Sequence, residues 1–178
     1  MHAPTIFKRV MALLVVGVVS ACSSASTLTV TQPKTQSIPP GQTVFLSVEL
    51  DVAEPLPVHQ EVATRIRKRL SGRLISDRIF TAVVPIPEPA DYRMDVEIRG
   101  ARLVSTGRRI WLAGMIGPDT VAVAVTVRHQ ATHQIITAFE ATGTSAEAME
   151  TSAASLSSEA GLDNAVRAAV AKIIEALR

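Results

Sequence analysis

The chain contains 178 residues, of which 47% are hydrophobic, 3% aromatic and 19% charged, and its formal net charge is +2. This length fits a single domain, and the hydrophobic content excludes a chain that is disordered throughout. The single cysteine excludes an internal disulfide and any metal site built from several thiolates.

The first 22 residues have the composition of an export signal. A basic segment with Lys8 and Arg9 precedes an uncharged apolar run over residues 10–19. This run is shorter than the roughly 20 residues that span a bilayer, which is typical of a secretory signal peptide. The sequence Val19-Ser20-Ala21-Cys22 follows and resembles the lipobox of bacterial lipoproteins, with the only cysteine of the chain at the lipidated position.

The lipobox resemblance implies that residues 1–21 are a cleaved signal peptide and that Cys22 carries fatty chains, which together give stable membrane attachment. The alternatives are an ordinary signal peptide with a coincidental cysteine and an uncleaved anchor helix. Ser23 stands where lipoproteins retained in the inner membrane have Asp. The resemblance therefore implies a lipid anchor in the outer membrane, on its periplasmic face.

Removal of the signal peptide changes the meaning of the net charge. Lys8 and Arg9 leave with it, so 16 of the 18 basic residues remain against 16 acidic ones. The mature chain is neutral, it would be exported, and its basic residues are not interleaved with aromatic ones. We therefore expect no nucleic-acid binding.

Residues 22–42 are rich in Ser, Thr, Gln and Pro. Such a segment buries too little surface to offset the entropy cost of ordering it, which predicts a lipidated tether ahead of one domain over residues 43–178. A short edge strand containing Leu28 and Val30 is the alternative.

Hydrophobic periodicity predicts the first half of the domain. Alternation predicts a strand over TVFLSVEL from Thr43, a second over residues 79–86, and a third from Tyr92 to Val104. Apolar residues at every fourth position from Val58 to Leu74 predict an amphipathic helix between the first two strands.

The second half of the domain is predicted in the same way. A valine-rich strand from Val121 forms a hairpin with a strand from Ile135, through a turn at residues 130–133. Residues 144–160 have no deep apolar stripe, and an amphipathic helix runs from Leu162 to Leu177. The order β-α-β-β-β-β-α predicts an α+β two-layer sandwich, in which a mixed or mostly antiparallel sheet of about four to five strands packs against two helices.

Four runs carry a further resemblance: ADYRMDVEIRGARLV, GRRIWLAGMIG, TVAVAVTVRHQATHQII and LDNAVRAAVAKIIEALR. Their order resembles an uncharacterised family of bacterial envelope lipoproteins, and it is similar to the periplasmic domain of curli-secretion lipoproteins and the amino-terminal domain of TolB. The resemblance implies fold and location and assigns no activity. The chain departs from the family at its hairpin turn, which reads His129-Gln130-Ala131-Thr132-His133 in place of Asp-x-x-Thr-Gly.

Residue types used in catalysis occur without the spacing that catalysis needs. His129 and His133 would form a zinc pair on a helix, but the pattern places them around a hairpin turn. Motifs of the form GxSxG and GxxxxGK[ST] are absent from the sequence, and acylation consumes the thiol of Cys22. We therefore expect a protein that is not an enzyme and that holds no metal or cofactor.

Two carboxylates, Asp95 and Glu97, lie two residues apart, as a catalytic acid pair could. They alternate with Arg93 and Arg99 on the solvent side of a predicted strand. Exposed carboxylates among arginines are typical of charge pairs rather than of a general acid and base.

The first predicted helix has a basic face. Its members are Arg65, Arg67, Lys68, Arg69 and Arg73, with Arg78 just beyond. This face is either a solvated helix surface or a contact for anionic lipid headgroups, peptidoglycan carboxylates or an acidic partner.

An apolar, glycine-bearing segment from Gly107 to Pro118 interrupts the predicted strands, where a connection is normally polar. It is either a lid over the open end of the core or a protrusion that contacts a protein partner or a second subunit. The candidate partner-binding residues are Arg108, Arg109, Trp111, Leu112, Met115 and Ile116.

The sequence leaves three functions open. The first is a non-enzymatic envelope lipoprotein, a structural, assembly or secretion accessory that binds a protein partner. The second is a lipoprotein component of a transport or lipid-trafficking system, which requires an apolar groove for an acyl chain. The third is a peptidoglycan-active enzyme or other hydrolase, which the missing nucleophile, metal set and acid pair make the weakest.

Overall fold

The computed structural model describes residues 25–86, 88–104, 117–145 and 158–178. Its elements in chain order are β1 (Thr27–Gln32), β2 (Thr43–Leu50), α1 (Pro57–Ser76), β3 (Ala82–Val84), β4 (Tyr92–Arg102), β5 (Thr120–His129), β6 (Ile135–Thr144) and α2 (Ser158–Leu177). From β2 to α2 the order is the predicted β-α-β-β-β-β-α, and the α+β class is confirmed.

The strands form one mixed sheet in the order β1-β6-β5-β4-β2-β3. Three neighbouring pairs are antiparallel, namely β1 with β6, β6 with β5 and β5 with β4. Strand β2 runs parallel to both β4 and β3. The sheet has six strands, one more than the upper expected number, because β1 joins its edge.

One face of the sheet carries the core. In β4 the side chains of Met94, Val96 and Ile98 are buried, while the alternate positions are partly exposed. This is the two-residue period expected of a sheet that is covered on one side. The predicted alternation from Tyr92 is thereby confirmed.

Both helices cover that buried face. In α1 the side chains of Ile66, Leu70 and Leu74 are fully buried, each contributing roughly 1.5–3 kcal/mol by leaving water. The two helices run parallel: Arg65, in the third turn of α1, meets Glu159 in the first turn of α2, and Asp77 meets Arg178 just beyond their ends. Their outer surfaces meet along a groove.

Strand β1 lies inside the segment predicted to be a tether. The alternative of an edge strand containing Leu28 and Val30 is the structure observed, with Thr27 paired to Thr142 and Val30 to Phe139. The polar composition of the segment concealed it, because its pairing partner lies more than a hundred residues away in the chain.

The second predicted strand is shorter than expected. It covers Ala82–Val84 instead of residues 79–86. The backbone N–H groups of Ile79 and Phe80 both donate to the carbonyl oxygen of Leu74, so these residues close the end of α1. Phe80 is buried in the core, which explains the apolar character that resembled a strand.

Candidate functional site

The predicted lipidation and partner-binding residues lie outside the described residues. Cys22 belongs to residues 1–24, and Arg108, Arg109, Trp111, Leu112, Met115 and Ile116 belong to residues 105–116. The roles of these residues stay predictions. The structure does define where the flanks of these segments lie.

The chain enters the sheet soon after Cys22. The hydroxyl of Ser26 accepts a hydrogen bond of 3.1 Å from the backbone N–H of Thr144, and β1 begins at Thr27. Five steps of extended chain, at about 3.5 Å each, separate Cys22 from Thr27 and span roughly 17 Å at most. The strand therefore fixes how far Cys22 can be from the sheet.

A buried carboxylate stands at the same end of the sheet. Asp119 is fully buried, and its carboxylate accepts a hydrogen bond of 2.6 Å from the backbone N–H of Val104. Its own N–H donates to the hydroxyl of Ser145 at 3.0 Å, and the N–H of Ser145 donates back to its carbonyl at 3.0 Å. We call the end of the sheet marked by Ser26, Val104, Asp119 and Ser145 the anchor end.

The anchor end gathers the flanks of three segments. Residues 1–24 precede Ser26 closely, residues 105–116 follow Val104, and residues 146–157 follow Ser145. The pairing of Thr120 with both Arg102 and Thr144 keeps these strand ends side by side.

The groove between the helices, which we call the interhelical groove, has a volume of about 680 Å³. It is lined by Arg65, Lys68, Arg69, Gly72 and Arg73 of α1 and by Asp163, Arg167 and Val170 of α2. Five of these side chains are cationic and one is anionic. Part of the basic face predicted from the sequence is therefore a wall of this groove.

Asp163 is the carboxylate that the groove cations share. It accepts hydrogen bonds from Arg65 at 3.4 Å, from Arg167 at 3.1 Å, and from Arg69. Burial raises the pKa of Asp163, but the hydrogen bonds and charges of Arg69 and Arg167 more than offset this and hold the pKa below its usual 3.8. One negative charge thus faces three guanidinium groups.

Other groove cations have partners outside the groove. Arg65 donates to Glu61 at 2.6 Å, and this hydrogen bond raises the pKa of Arg65. Arg73 pairs with Asp77 at 2.8 Å. Lys68 is exposed, and within the described ranges no ion pair reaches it.

Gly72 forms an open stretch of the groove. A Cβ atom added there would meet no atom within 4 Å, so core packing does not require a glycine. Glycine inside a helix costs about 0.5–1 kcal/mol relative to alanine, and it commonly occurs where another backbone or a ligand approaches closely. A glycine within the predicted helix is visible in the sequence, but neither Gly72 nor Asp163 was among the predicted site residues.

The face of the sheet opposite the helices carries the expected charge pairs. Asp95 binds Arg93 at 2.7 Å on its own strand and Arg128 at 2.8 Å on the next, while Glu97 binds Arg99 at 2.7 Å. These contacts confirm the prediction of charge pairing for Asp95 and Glu97.

The histidines take part in local structure. Nδ1 of His129 accepts a hydrogen bond of 3.4 Å from the N–H of Thr132, and its ring stands edge-on to Tyr92 at 5.3 Å. Nδ1 of His59 accepts from the N–H of Leu56 at 3.0 Å and caps α1. Among the described residues, no three His, Cys, Asp or Glu side chains are grouped to hold a metal ion.

Neither helix in the described part of the chain combines the length and the hydropathy needed to cross a membrane.

An α+β domain with two helices on one face of a six-stranded sheet also occurs in solved structures. The PelC dodecamer from Paraburkholderia phytofirmans has a TM-score of 0.56 and 14% identity, over 86% of this chain and 97% of that one. A DUF330 protein from Xanthomonas campestris has a TM-score of 0.50 and 9% identity, over 81% and 85% of the two chains. No protein-family model and no curated protein matches the sequence. These similarities define a shared fold.

Proposed function

We propose that the protein is a non-enzymatic lipoprotein of the bacterial cell envelope, anchored by acylated Cys22 to the periplasmic face of the outer membrane. The observation that carries the proposal is the position of β1, which starts five residues after the cysteine of the lipobox. A chain processed at Cys22 would keep the whole sheet, because every described strand lies beyond the cleavage point.

The short connection gives this anchor a structural consequence. With roughly 17 Å between Cys22 and Thr27 at full extension, the anchor end would stay close to the membrane surface. Residues 105–116 leave the sheet at Val104 and return before Asp119, so their flanks lie at that same end. An apolar segment with Trp111 and two arginines would then be presented beside the bilayer.

We assign these residues a role in binding an envelope protein, as an assembly or secretion accessory would. Tryptophan and arginine are enriched at the centres of protein interfaces. The fold shared with PelC, which is a dodecamer, supports a second element of the proposal, namely that copies of this chain assemble with one another. The surface that binds the envelope protein is separate from the surface through which copies of this chain assemble.

A trafficking role for single lipids has less support. It requires an apolar cavity for an acyl chain, and six of the eight residues that line the interhelical groove carry a charge. The smaller cavity on the sheet face opposite the helices, of about 210 Å³, is lined by residues such as Glu49, Arg93 and Arg128.

Photocrosslinking in intact cells tests the proposal. A benzophenone amino acid replacing Trp111 should give protein adducts. A Cys22→Ser change in the same chain should remove them, because that chain would lose its lipid and stay as an unprocessed precursor. The same probe at Gln130, at the opposite end of β5, is the matched control. Adducts to phospholipid alone from position 111 would contradict a protein-binding role, because the position of the segment beside the bilayer accounts for lipid contact by itself.

A further inference from the structure

We propose that the interhelical groove of one copy receives residues 51–56 of a second copy, and that this contact joins the copies head to tail. We call residues 51–56 the acidic loop, since they connect β2 to α1 and carry Asp51 and Glu54. The inference rests on the proposed self-assembly and names the surfaces that carry it.

The groove side has uncompensated positive charge. Arg69 and Arg167 share the single carboxylate of Asp163, and each keeps further N–H donors that this carboxylate cannot occupy. Arg65 adds no free charge, because it is also paired with Glu61. Lys68 adds another cation at the groove wall. Because arginine binds carboxylates in fixed, often bidentate geometry, the groove is suited to acidic side chains that enter from outside.

Two lining residues of the groove are uncharged. Gly72 contributes bare helix backbone, and Val170 contributes an apolar side chain from α2. A main chain can approach closely over Gly72, whereas any larger residue would fill this space. No atom of the same chain lies within 4 Å of a Cβ built at Gly72, so the groove is open there to the main chain of a second copy.

The acidic loop presents the complementary groups. Glu54 is exposed, and within the described residues no ion pair reaches it. The side chain of Asp51 is 52% exposed and contacts Arg99 of its own chain. Leu56 is 56% exposed and provides an apolar group that can contact Val170 in the groove of a second copy.

The loop of a given chain cannot occupy that chain's own groove. Residue 56 directly precedes the first residue of α1, and Arg65 lies nine residues further along, or roughly 13 Å at 1.5 Å per residue. The two surfaces therefore meet only between different copies. A contact between two different surfaces is heterologous, and its repetition closes a ring when the rotation permits.

Cysteine crosslinking tests the contact directly. Chains with Glu54→Cys and chains with Lys68→Cys are purified separately in detergent, mixed, and treated with a short bis-maleimide. A dimer should form in the mixture and be absent from either chain alone, because a heterologous contact brings residue 54 of one copy to residue 68 of another. The double variant in one chain should give a ladder of crosslinked multimers.

Matched controls use positions away from both surfaces. In the first control, the loop cysteine is moved from residue 54 to residue 88, an exposed acid on a different connection. In the second control, the groove cysteine is moved from residue 68 of α1 to residue 172, a cation of α2. Neither should crosslink with its counterpart. The chain without an added cysteine measures any contribution of Cys22.

Two further variants test the energetics by native mass spectrometry. Lys68→Glu should raise the concentration at which assemblies dissociate by about tenfold, and Gly72→Phe should do the same by filling the groove without changing charge. The assembly should also weaken as salt is raised. Thermal unfolding of each variant checks that the fold is intact.

The outcomes separate this inference from the function on which it rests. A wild-type chain that is monomeric at all concentrations contradicts the proposed self-assembly and the contact together. A wild-type chain that assembles, with no 54–68 crosslink and with Lys68→Glu and Gly72→Phe assembling normally, overturns the contact and leaves self-assembly standing on another surface.

Discussion

The carboxylate of Asp119 accepts a 2.6 Å hydrogen bond from the backbone N–H of Val104, across a gap of fifteen residues in the chain. This contact joins the two flanks of the segment that contains Trp111. Since the N–H and carbonyl of Asp119 also bind Ser145, one buried residue holds the flanks of two segments at the anchor end. The Val104 flank therefore depends on the side chain of Asp119, whereas the Ser145 flank depends on the backbone of Asp119.

Replacement of Asp119 by Ala should lower the free energy of unfolding by about 2–3 kcal/mol, because the N–H of Val104 loses a buried, charged acceptor. Asp119→Asn keeps an acceptor oxygen and should lose less. Urea denaturation of the three chains measures the difference. An alanine variant as stable as the wild type would show that water or another group replaces the carboxylate.

Replacement of Gly143 by Ala should push α2 away from the sheet. A Cβ at this position would lie 2.1 Å from the carbonyl oxygen of Ala165 and 2.2 Å from the nitrogen of Ala169, and neither backbone atom can move without the helix. We expect a loss of about 3 kcal/mol in the free energy of unfolding.

The matched control for that variant is Gly72→Ala, which meets no atom within 4 Å and should stabilise α1 by about 0.5–1 kcal/mol. Thermal unfolding of the two variants side by side gives the comparison. Equal effects at both positions would contradict the close packing of α2 against β6.

Asp91 should make stability depend on pH in the acid range. The backbone N–H and the hydroxyl of Thr43 each donate to its carboxylate at 2.8 Å, and these hydrogen bonds hold the pKa of Asp91 below the usual 3.8. The stabilisation is therefore fully present above about pH 4 and is lost as the pH falls through the lowered pKa.

The check is a comparison with Asp91→Asn. The wild type should be the more stable chain near neutral pH, and its advantage should shrink as the pH falls below about 4, as measured by chemical denaturation at each pH. An advantage that is constant over this range would mean that the charge on Asp91 makes no contribution.

Lengthening the connection between Cys22 and β1 should separate the domain from the membrane. A benzophenone amino acid at Thr27 should crosslink to lipid in the wild-type chain, because roughly 17 Å of chain limits its distance from the acylated thiol. Insertion of a Gly/Ser stretch of about 20 residues after Ser24 should greatly reduce these adducts. The same probe at Gln130, at the far end of the sheet, should give few lipid adducts in either chain.

The periodic elements were the most predictable part of the fold. Tyr92, Met94, Val96 and Ile98 alternate with charged residues, and every one of the four is buried. The four-residue spacing from Val58 likewise predicted α1. These elements follow from local sequence because one face of each meets a single core.

Elements that depend on distant partners were not resolved from the sequence. Strand β1 is polar, and its pairing with β6 rather than its own composition makes it a strand. Asp163 is an ordinary surface residue by sequence position. It gains significance only because Arg65 and Arg69 reach it from another helix.

The most direct test of the central claim is the mass of the amino-terminal peptide of the chain isolated from membranes. If Cys22 is the lipid anchor, we expect a peptide that begins at Cys22 and carries a diacylglyceryl group and a further acyl chain, with residues 1–21 absent. A peptide that retains Met1, or one that begins elsewhere with an unmodified Cys22, would contradict lipid anchoring and the membrane-side position of the anchor end that depends on it.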